Sequence, residues 1–289
     1  MKEILRDTII CPQCGHGLEQ KDSTLVCKSC GQAVPLQGQI PIFTQPPGNI
    51  QPSEKIERGA HKGTPWRQAN WQFLQQQVAR LAPEARILDV GAGRGDFAAI
   101  LQNHTSLALD VYPYPEVDLV CDLTRVLPLR AESFDALVLM NVLEHVYNTH
   151  ALLAALTTLL KPGGVLIMAV PFMVKIHQAP VDFVRYTHYA LQRLGEEYGL
   201  SVETLEGYYD PISFLGEGIG NLKWAVLPTI RGGKHYLARG LLAGIQGLSA
   251  ILDSLLGQGQ TSTPAGMRSM APTGYHILYR KNQGASHTA

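Results

Sequence analysis

The feature that most constrains this chain is the segment ILDVGAGRGDF, Ile87 to Phe97, in which an apolar run leads directly into three alternating glycines. The apolar run predicts a buried parallel strand. Gly91, Gly93 and Gly95 allow a sharp turn and let the backbone approach a ligand closely, which a Cβ would prevent. The spacing differs from the dinucleotide pattern G-x-G-x-x-G and lacks the Lys-Ser/Thr of a P-loop. We therefore predict a cofactor-binding turn, with Asp89 two positions before the first glycine.

Two further apolar runs each end at an acidic residue. Ser106 to Val111 contains Asp110, which lies about 20 residues past the glycines, where an acid is placed to bind ribose hydroxyls. The run VDLVCDL predicts a third strand that ends at Asp122. Asp89, Asp110 and Asp122 also have a structural interpretation as turn residues, because Asp is favoured in turns. Their joint spacing favours contacts with a cofactor.

The fourth predicted strand, Phe134 to Val146, ends in Asn141, Glu144 and His145. Taken in order, these motifs resemble those of the class I S-adenosylmethionine (SAM)-dependent methyltransferases, type 11-like. The resemblance implies SAM as the cofactor, with a carboxylate after the third strand on the adenine amino group and the next residue packed on the ring. The predicted cofactor contacts are Asp89, Gly91, Gly93, Gly95, Asp110, Asp122, Leu123 and Asn141.

Four cysteines near the N-terminus form the pattern C-x2-C-x12-C-x2-C, made of Cys11, Cys14, Cys27 and Cys30. Four thiolates at this spacing predict one tetrahedral structural Zn²⁺ site. The alternative is two disulfides, but residues 1–10 lack the apolar core of a secretory signal, which favours a cytoplasmic protein with reduced thiols. The surrounding sequence resembles a zinc-ribbon family related to the activator subunit of tRNA and protein methyltransferases. Cys121 stands alone in an apolar run and is predicted to be a core residue.

Strands and helices alternate along the rest of the chain, which predicts an α/β fold with a Rossmann-like, doubly wound sheet of seven strands. Helices are predicted from Trp66 to Leu81 and after the N-cap residues Thr149 and Thr187. Later strands are predicted at Val165–Val170, at SVETLEGYY and at Gly274–Lys281, the last one antiparallel in the resembled family. The expected domains, each with its own core, are a zinc ribbon over 1–43, a linker over 44–64, a methyltransferase domain over 65–282 and a tail over 283–289.

The segment from Pro171 to Thr187 follows the fifth strand at the carboxyl edge of the sheet, where open α/β folds bind substrates. It contains His177, Asp182, Arg185 and Tyr186 and resembles a subgroup of methyltransferases associated with cell-envelope or glycan biosynthesis. For a hydroxyl acceptor, His177 is the predicted base and Asp182 the residue that orients it. The alternative is that Asp182 and Arg185 form a salt bridge that only shapes the loop.

A helical insertion is expected over about 213–272, before the last strand, because leucines and isoleucines recur there at helical spacing. The apolar stripe is interrupted by Arg239, Gln246 and Asp253, so the sequence does not predict a transmembrane span here. We expect a helical lid over the active site. The alternatives are a homodimer interface and peripheral docking on a membrane surface.

The predicted activity is methyl transfer from SAM to a hydroxyl of a small-molecule, glycan or lipid-linked acceptor. His145 is predicted to assist in handling that substrate, or else to be a structural hydrogen-bond donor, and Glu144 fits a brace for its loop. An RNA or protein methyltransferase and a SAM-binding scaffold without turnover are the alternatives. The 24 basic and 24 acidic residues balance, which disfavours a nucleic-acid partner. The sequence Met140–Leu143 also lacks the N-P-P-Y-like tetrad of base-amine methylation.

Overall fold

The computed structural model describes residues 1–46, 59, 62–208, 218–219, 222–223, 226–256 and 272–284. Most of the predicted linker, parts of the insertion and the end of the tail lie outside these residues, as do the side chains of 246, 249–250 and 252–256. The described residues form a small sheet of four strands near the N-terminus and a large sheet of seven strands.

The N-terminal segment folds as a short helix followed by an antiparallel sheet with the strand order β1-β2-β3-β4. Its elements are α1 Glu3–Thr8, β1 Leu18–Lys21, β2 Thr24–Cys27, β3 Ala33–Gln37 and β4 Ile40–Pro41. One cysteine pair precedes β1, and the other lies at the end of β2 and in the turn that follows.

The seven-stranded sheet has the order β10-β11-β9-β8-β5-β6-β7, and β11 is antiparallel to both of its neighbours. Its strands are β5 Arg86–Val90, β6 Thr105–Asp110, β7 Leu119–Val120, β8 Phe134–Met140, β9 Leu160–Pro171, β10 Leu200–Tyr208 and β11 Gly274–Lys281. The predicted Rossmann-like sheet of seven strands is therefore confirmed, including the bounds of the last strand.

The helices that accompany the large sheet are α2 Pro65–Val78, α3 Ala98–Leu101, α4 Thr149–Leu159, α5 His188–Glu197 and α6 Gly233–Leu256. Thr187 caps α5 as predicted, and its hydroxyl accepts a hydrogen bond from the amide of Ala190 at 3.3 Å. The predicted N-cap of α4 is wrong by one residue. Asn148 caps this helix, because its side-chain oxygen accepts from the amide of Ala151, and Thr149 is already helical. Asn and Thr are both favoured N-caps, so the pattern alone did not separate them.

Strand β9 begins at Leu160, earlier than the predicted Val165. Leu160 pairs with Phe134 at the start of β8, so the turn-like sequence after α4 continues as a strand. A Cβ on Gly164 would lie 2.9 Å from the carbonyl oxygen of Lys161 and 3.0 Å from that of Asp135. The two strands therefore approach this closely because position 164 is glycine.

Side chains of the central strands alternate between two hydrophobic layers. Ile87 of β5 and Ile167 of β9 pack in the layer that contains Phe73 of α2. Leu88 of β5 and Leu166 of β9 face the opposite layer. This alternation buries the central strands on both faces, as their continuous apolar sequences predict.

The N-terminal helix α1 covers part of the large sheet. The crossovers before and after β7, residues 111–118 and 121–133, contain no helix of their own. Ile4 and Leu5 of α1 belong instead to the same buried cluster as Leu107 and Leu109 of β6. The expectation of separate cores is therefore wrong, since the N-terminal segment supplies a helix that the crossovers lack.

The N-terminal segment also pairs with the edge strand β7. Ile42 forms a parallel bridge with Val120, and the amide of Phe43 donates to the carbonyl oxygen of Val120 at 2.8 Å. Ile9 forms an antiparallel bridge with Leu129 in the next crossover. The segment is thus joined to the sheet by backbone hydrogen bonds as well as by apolar packing.

Helix α6 presents exposed apolar side chains, with Leu237 75%, Leu241 66% and Leu248 57% exposed. The expectation that this stripe packs over the active site as a lid is not met by these side chains. The interpretations as a dimer interface and as a membrane-docking surface remain expectations. In the part of the chain that the structure describes, no helix is long and apolar enough to span a membrane.

Candidate functional site

The glycine turn lies directly after β5 at the carboxyl edge of the sheet. Gly91, Gly93 and Gly95 all have positive φ, at 71°, 56° and 69°. A Cβ on Gly91 would lie 2.6 Å from Cγ2 of Val142, so the turn and the loop after β8 are in close contact. The amides of Gly91 and Ala92 both donate to the carbonyl oxygen of Leu109, which fixes the turn against the end of β6. This backbone forms the sharp turn that the sequence predicts.

Asp110 at the end of β6 holds the same turn from the other side. Its Oδ2 accepts a hydrogen bond from the amide of Gly93 at 2.8 Å, and its Oδ1 accepts from the amide of Tyr112 at 3.0 Å. Burial raises the pKa of Asp110, and these two amides oppose that shift. The carboxylate therefore has a structural role in the turn, as the turn-residue interpretation predicts, and its contact with ribose stays a prediction.

The other predicted cofactor residues lie along the same edge. Asp89 is buried within β5. Asp122 accepts hydrogen bonds from the amide and hydroxyl of Thr124, at 2.8 and 2.7 Å, which is an Asx-turn. Leu123 is partly buried against the main core. Asn141 has a φ of 55°, and its amide donates to the carbonyl oxygen of Ala169 in β9.

Two buried residues near Asn141 were not predicted. Asn70 of α2 donates from Nδ2 toward Oδ1 of Asn141 at 3.5 Å, and its own Oδ1 accepts from Nε2 of His276 in β11 at 2.8 Å. The His276 ring stacks between Trp66 and Phe73, with ring-centroid distances of 5.0 and 4.6 Å. Burial lowers the pKa of His276 to about 3, so this imidazole is neutral. The sequence signal for this network is weak, because Asn70 is one of two polar residues, with Gln77, on the buried face of α2.

The neutral state of His276 predicts a loss of stability in acid. Its folded-state pKa lies below the unfolded value of 6.5, so between about pH 6.5 and 3 the unfolded chain binds more protons at this residue. We expect this group alone to lower the unfolding free energy by about 2 kcal/mol on going from neutral pH to pH 5. Urea unfolding at several pH values should give a flatter pH dependence for His276→Gln, whereas the exposed control His150→Gln should keep the wild-type slope.

Glu144, His145 and His177 form a cluster where the loops after β8 and β9 meet. Oε1 of Glu144 lies 3.6 Å from Nε2 of His145 and 3.7 Å from Nε2 of His177. Glu144 is fully buried, and neither of its carboxylate oxygens has a hydrogen-bond partner among the described residues. The Glu144 carboxylate raises the pKa of His177, although burial opposes this shift. The structure therefore brings together the two predicted histidines and the residue expected to brace the loop.

Asp182 contacts both the backbone amide and the side chain of His177. One carboxylate oxygen accepts from the His177 amide at 2.8 Å and lies 3.2 Å from its Nδ1. Arg185 makes two hydrogen bonds to the same carboxylate, at 2.5 and 2.8 Å. Although burial opposes it, Arg185 lowers the pKa of Asp182 to about 2, so Asp182 is ionised. The predicted orienting contact and the alternative salt bridge are thus both present, and they share one carboxylate.

The four predicted metal ligands of the N-terminal segment converge. Sγ of Cys14 lies 3.4 Å from that of Cys27 and 3.6 Å from that of Cys30, and Cys11 lies 3.6 Å from Cys30. Four sulfurs at about 2.3 Å from one tetrahedral Zn²⁺ would be separated by roughly 3.8 Å. The backbone amide of Cys30 helps to lower the pKa of the Cys27 thiol to about 6, which favours the thiolate form of a ligand. The cluster is compatible with a zinc ribbon.

A cleft of about 770 Å³ lies at the opposite edge of the sheet, near the amino ends of β5 and β8. Four of its charged groups form two pairs, since Lys161 Nζ lies 2.8 Å from Asp135, and Arg280 bonds to Glu203. Open α/β sheets bind ligands at the carboxyl ends of their strands. We therefore assign the candidate site to the glycine turn and the Glu144–His145–His177 cluster.

The antiparallel β11 and the glycine turn after β5 are the arrangement that the sequence resemblance predicts. Residues 66–205 match the family model described as "Methyltransferase domain", and this part of the chain is a methyltransferase domain. The match covers α2, the glycine turn, both histidines of the cluster and most of the sheet.

A ubiquinone biosynthesis O-methyltransferase of Xanthomonas campestris pv. campestris (strain B100) is 33% identical over 142 residues, which covers 43% of this chain and 55% of that protein. The chain thus spans about half the length of the curated relatives it matches. A SAM-dependent methyltransferase from Archaeoglobus fulgidus aligns over 76% of this chain and 95% of its own, with 15% identity and a TM-score of 0.48. One chain of a complex between the Haloferax volcanii Trm112 methyltransferase activator and a methyltransferase is also similar. The alignment covers 74% of this chain and 91% of that chain, with 16% identity and a TM-score of 0.45.

Proposed function

We propose that this chain is a cytoplasmic SAM-dependent methyltransferase that acts on a hydroxyl of a small-molecule, glycan or lipid-linked acceptor. The observation that carries the proposal is the position of the Glu144–His145–His177 cluster, at the carboxyl edge that also bears the glycine turn. Strands β5, β8 and β9 are neighbours, so a cofactor on the turn and an acceptor at the cluster would be adjacent. The similarity to an O-methyltransferase supports oxygen as the acceptor atom.

In this proposal the cofactor lies along the ends of β5, β6 and β7. Asp110 binds the ribose hydroxyls, Asp122 the adenine amino group, and Leu123 packs on the ring. The glycine turn and Asp89 face the rest of the cofactor, and Asn141, fixed by Asn70, borders the position of the methyl group. SAM fits this edge because the turn leaves no Cβ between the backbone and a ligand.

The proposed cofactor contact of Asp110 is tested by Asp110→Ala. We expect SAM binding to weaken by about 1.5 to 3 kcal/mol, because charge-assisted hydrogen bonds from the ribose are lost. Calorimetry with SAM, S-adenosylhomocysteine and NAD measures this effect, and NAD should not bind the wild type. Asp7→Ala is the matched control, since Asp7 pairs with Arg86 on an exposed surface. Binding of NAD in place of both sulfur cofactors would refute the assignment.

The acceptor hydroxyl must lose its proton as the methyl group is transferred. We propose that Nε2 of His177 accepts this proton, that Asp182 orients the ring and that His145 lines the acceptor position. A positioned histidine contributes roughly 10²- to 10⁴-fold as a general base. The raised pKa of His177 strengthens it as a base.

The acceptor class is tested by incubating the chain with methyl-labelled SAM and cell lysate, which is then separated into lipid, glycan, small-molecule, protein and RNA fractions. Label in the lipid, glycan or small-molecule fraction supports the proposal. Label confined to RNA or protein supports the alternative activities, and SAM binding without label in any fraction supports a scaffold.

We also propose that Cys11, Cys14, Cys27 and Cys30 bind one structural Zn²⁺. All four thiolates would be ligands, which leaves no open position for chemistry. The metal would then stabilise the segment that covers β6 and pairs with β7.

A further inference from the structure

Three donor atoms meet in the Glu144–His145–His177 cluster. Oε1 of Glu144 and the Nε2 atoms of both histidines all lie within 4.8 Å of one another. The centroids of the two imidazole rings are 4.8 Å apart and the rings are nearly perpendicular, at 80°. Oε1 of Glu144 lies 3.6 Å from Nε2 of His145 and 3.7 Å from Nε2 of His177. Ligand atoms bound to one metal ion at about 2.0–2.2 Å lie at comparable separations.

The contacts made by the two Nδ1 atoms determine which nitrogen of each ring has a lone pair directed toward Glu144. Nδ1 of His145 lies 2.6 Å from the carbonyl oxygen of Val181, and a carbonyl only accepts, so Nδ1 carries the hydrogen. Nδ1 of His177 likewise faces the carbonyl oxygen of Lys175 and the carboxylate of Asp182, both at 3.2 Å. In the neutral rings, both Nε2 atoms therefore direct lone pairs toward the Glu144 carboxylate. Backbone and carboxylate partners of this kind commonly orient histidine metal ligands.

Three lone-pair donors without a cation between them are a costly arrangement inside a protein. Both oxygens of Glu144 and Nε2 of His145 are buried and have no hydrogen-bond partner within the part of the chain that the structure describes. Arg185 does not supply the missing positive charge through a hydrogen bond, because it is bonded to Asp182 and to backbone carbonyl oxygens. Burying an unpaired carboxylate is strongly unfavourable. A proton on Nε2 of His177 would face only Oε1 of Glu144, at 3.7 Å, and would leave Oε2 of Glu144 and Nε2 of His145 without a partner among the described residues. The geometry therefore favours a metal ion at the centre of the cluster.

We propose that Glu144, His145 and His177 bind a divalent transition-metal ion through Oε1 and the two Nε2 atoms. Two imidazole nitrogens favour Zn²⁺, Fe²⁺ or Co²⁺ over Mg²⁺ and Ca²⁺, which prefer oxygen ligands. Three protein ligands leave at least one coordination position open, unlike the four-cysteine cluster. This second site is therefore suited to binding an oxygen of a ligand.

The metal site deepens the proposed function, and it rests on that function only for the identity of the ligand oxygen. An acceptor hydroxyl bound to the ion has a lowered pKa and releases its proton to water. A lone pair of this oxygen then forms the bond to the methyl carbon, and the carbon–sulfur bond breaks with its electron pair kept by sulfur, which yields S-adenosylhomocysteine. With the ion bound, His177 is a ligand, and the ion replaces it in promoting loss of the proton. Asp182 remains a positioning residue for His177.

The test uses the full chain with zinc already bound to the four cysteines and Co²⁺ as the added probe. Calorimetry and visible absorption should show one equivalent of Co²⁺ bound without a thiolate charge-transfer band. Glu144→Gln keeps the shape of the buried side chain and should lower the affinity at least tenfold. Asp182→Asn should lower it about 10- to 100-fold, as expected for the partner of a ligating histidine.

His150→Ala is the matched control, because His150 and Glu197 form a similar but exposed pair at 3.8 Å. Its affinity for Co²⁺ should equal that of the wild type. If Glu144→Gln fails to fold, His177→Gln removes a ligand from a partly exposed loop position and should give the same loss. Saturating Co²⁺ should also raise the melting temperature of the wild type but not of the ligand variants.

Failure of the wild type to bind Co²⁺ outside the four cysteines, or equal binding by wild type and ligand variants, would overturn the metal site. Methyl transfer is measured separately, so the two proposals are distinguishable. Co²⁺ bound at the cluster without methyl transfer to any lysate fraction would refute the proposed function alone. Methyl transfer by a chain that does not bind the ion would refute the metal site alone.

Discussion

Cys27→Ser should destabilise the whole chain and not only its first 43 residues. Cys27 is buried, and a structural site that loses one of four ligands binds zinc much more weakly. The N-terminal segment shares its core with the large sheet through Ile4, Leu5 and Ile9, so its unfolding exposes apolar surface on β6. We expect a loss of at least about 3 kcal/mol in unfolding free energy, or roughly 6 to 12 °C in melting temperature for a domain of this size.

Metal analysis in a Glu144→Gln background should give about one equivalent of zinc, and Cys27→Ser should lose it. His16→Ala is the matched control, because His16 lies in the same turn and bonds to the carbonyl oxygen of Cys14. Hydrogen exchange should accelerate at the amide of Phe43, which bonds to Val120, when zinc is lost. An unchanged melting temperature in the zinc-free chain, or disulfides among the four cysteines in freshly purified protein, would contradict the prediction.

His177→Ala should reduce turnover by roughly 10²-fold or more while leaving SAM affinity nearly unchanged. Whether Nε2 of His177 accepts the proton or binds a metal ion, the variant loses the group that helps the acceptor oxygen to become a nucleophile. The cofactor contacts proposed for Asp110 and Asp122 lie at the ends of β6 and β7, whereas His177 follows β9. The loss of turnover should therefore occur without a loss of SAM affinity.

Single-turnover methyl transfer to the identified acceptor measures the chemical step, and calorimetry measures SAM affinity in the same variant. His150→Ala again serves as the control, since it removes a histidine outside the cluster. A modest loss would point to positioning, because alignment alone supports much of a methyl transfer. Wild-type turnover would remove His177 from the mechanism and direct attention to His145 and to Tyr186, whose hydroxyl bonds to Thr149.

Much of the fold could be predicted because the central strands are buried on both faces. Their apolar runs are unambiguous, and the bounds of β11, Gly274–Lys281, were also predicted correctly. The glycine turn and Asp110 were also predictable, since both lie within one local motif. The choice between Asn148 and Thr149 as a helix cap was not, because both residue types cap well and only the backbone path decides.

The individual residues of the candidate site could be predicted, but their arrangement could not. His145 and His177 each appeared as a separate candidate, but their convergence on Glu144 depends on how two loops fold together. The contact between Asn70 and His276 joins positions 206 residues apart, and no local pattern encodes it. The shared core was missed for a similar reason, because the absence of crossover helices beside β7 becomes apparent only when α1 fills the space.

The backbone pairing of Ile42 and Phe43 with Val120 has a consequence for self-association. β7 is the outermost strand on its side of the large sheet, and a bare outer strand offers unpaired amides and carbonyls to other molecules. The N-terminal segment pairs with β7 at Val120, so it would hinder the addition of a strand from another chain. A chain whose N-terminal segment has unfolded would therefore be expected to aggregate through β7, so its solubility would depend on a segment that carries none of its proposed chemistry.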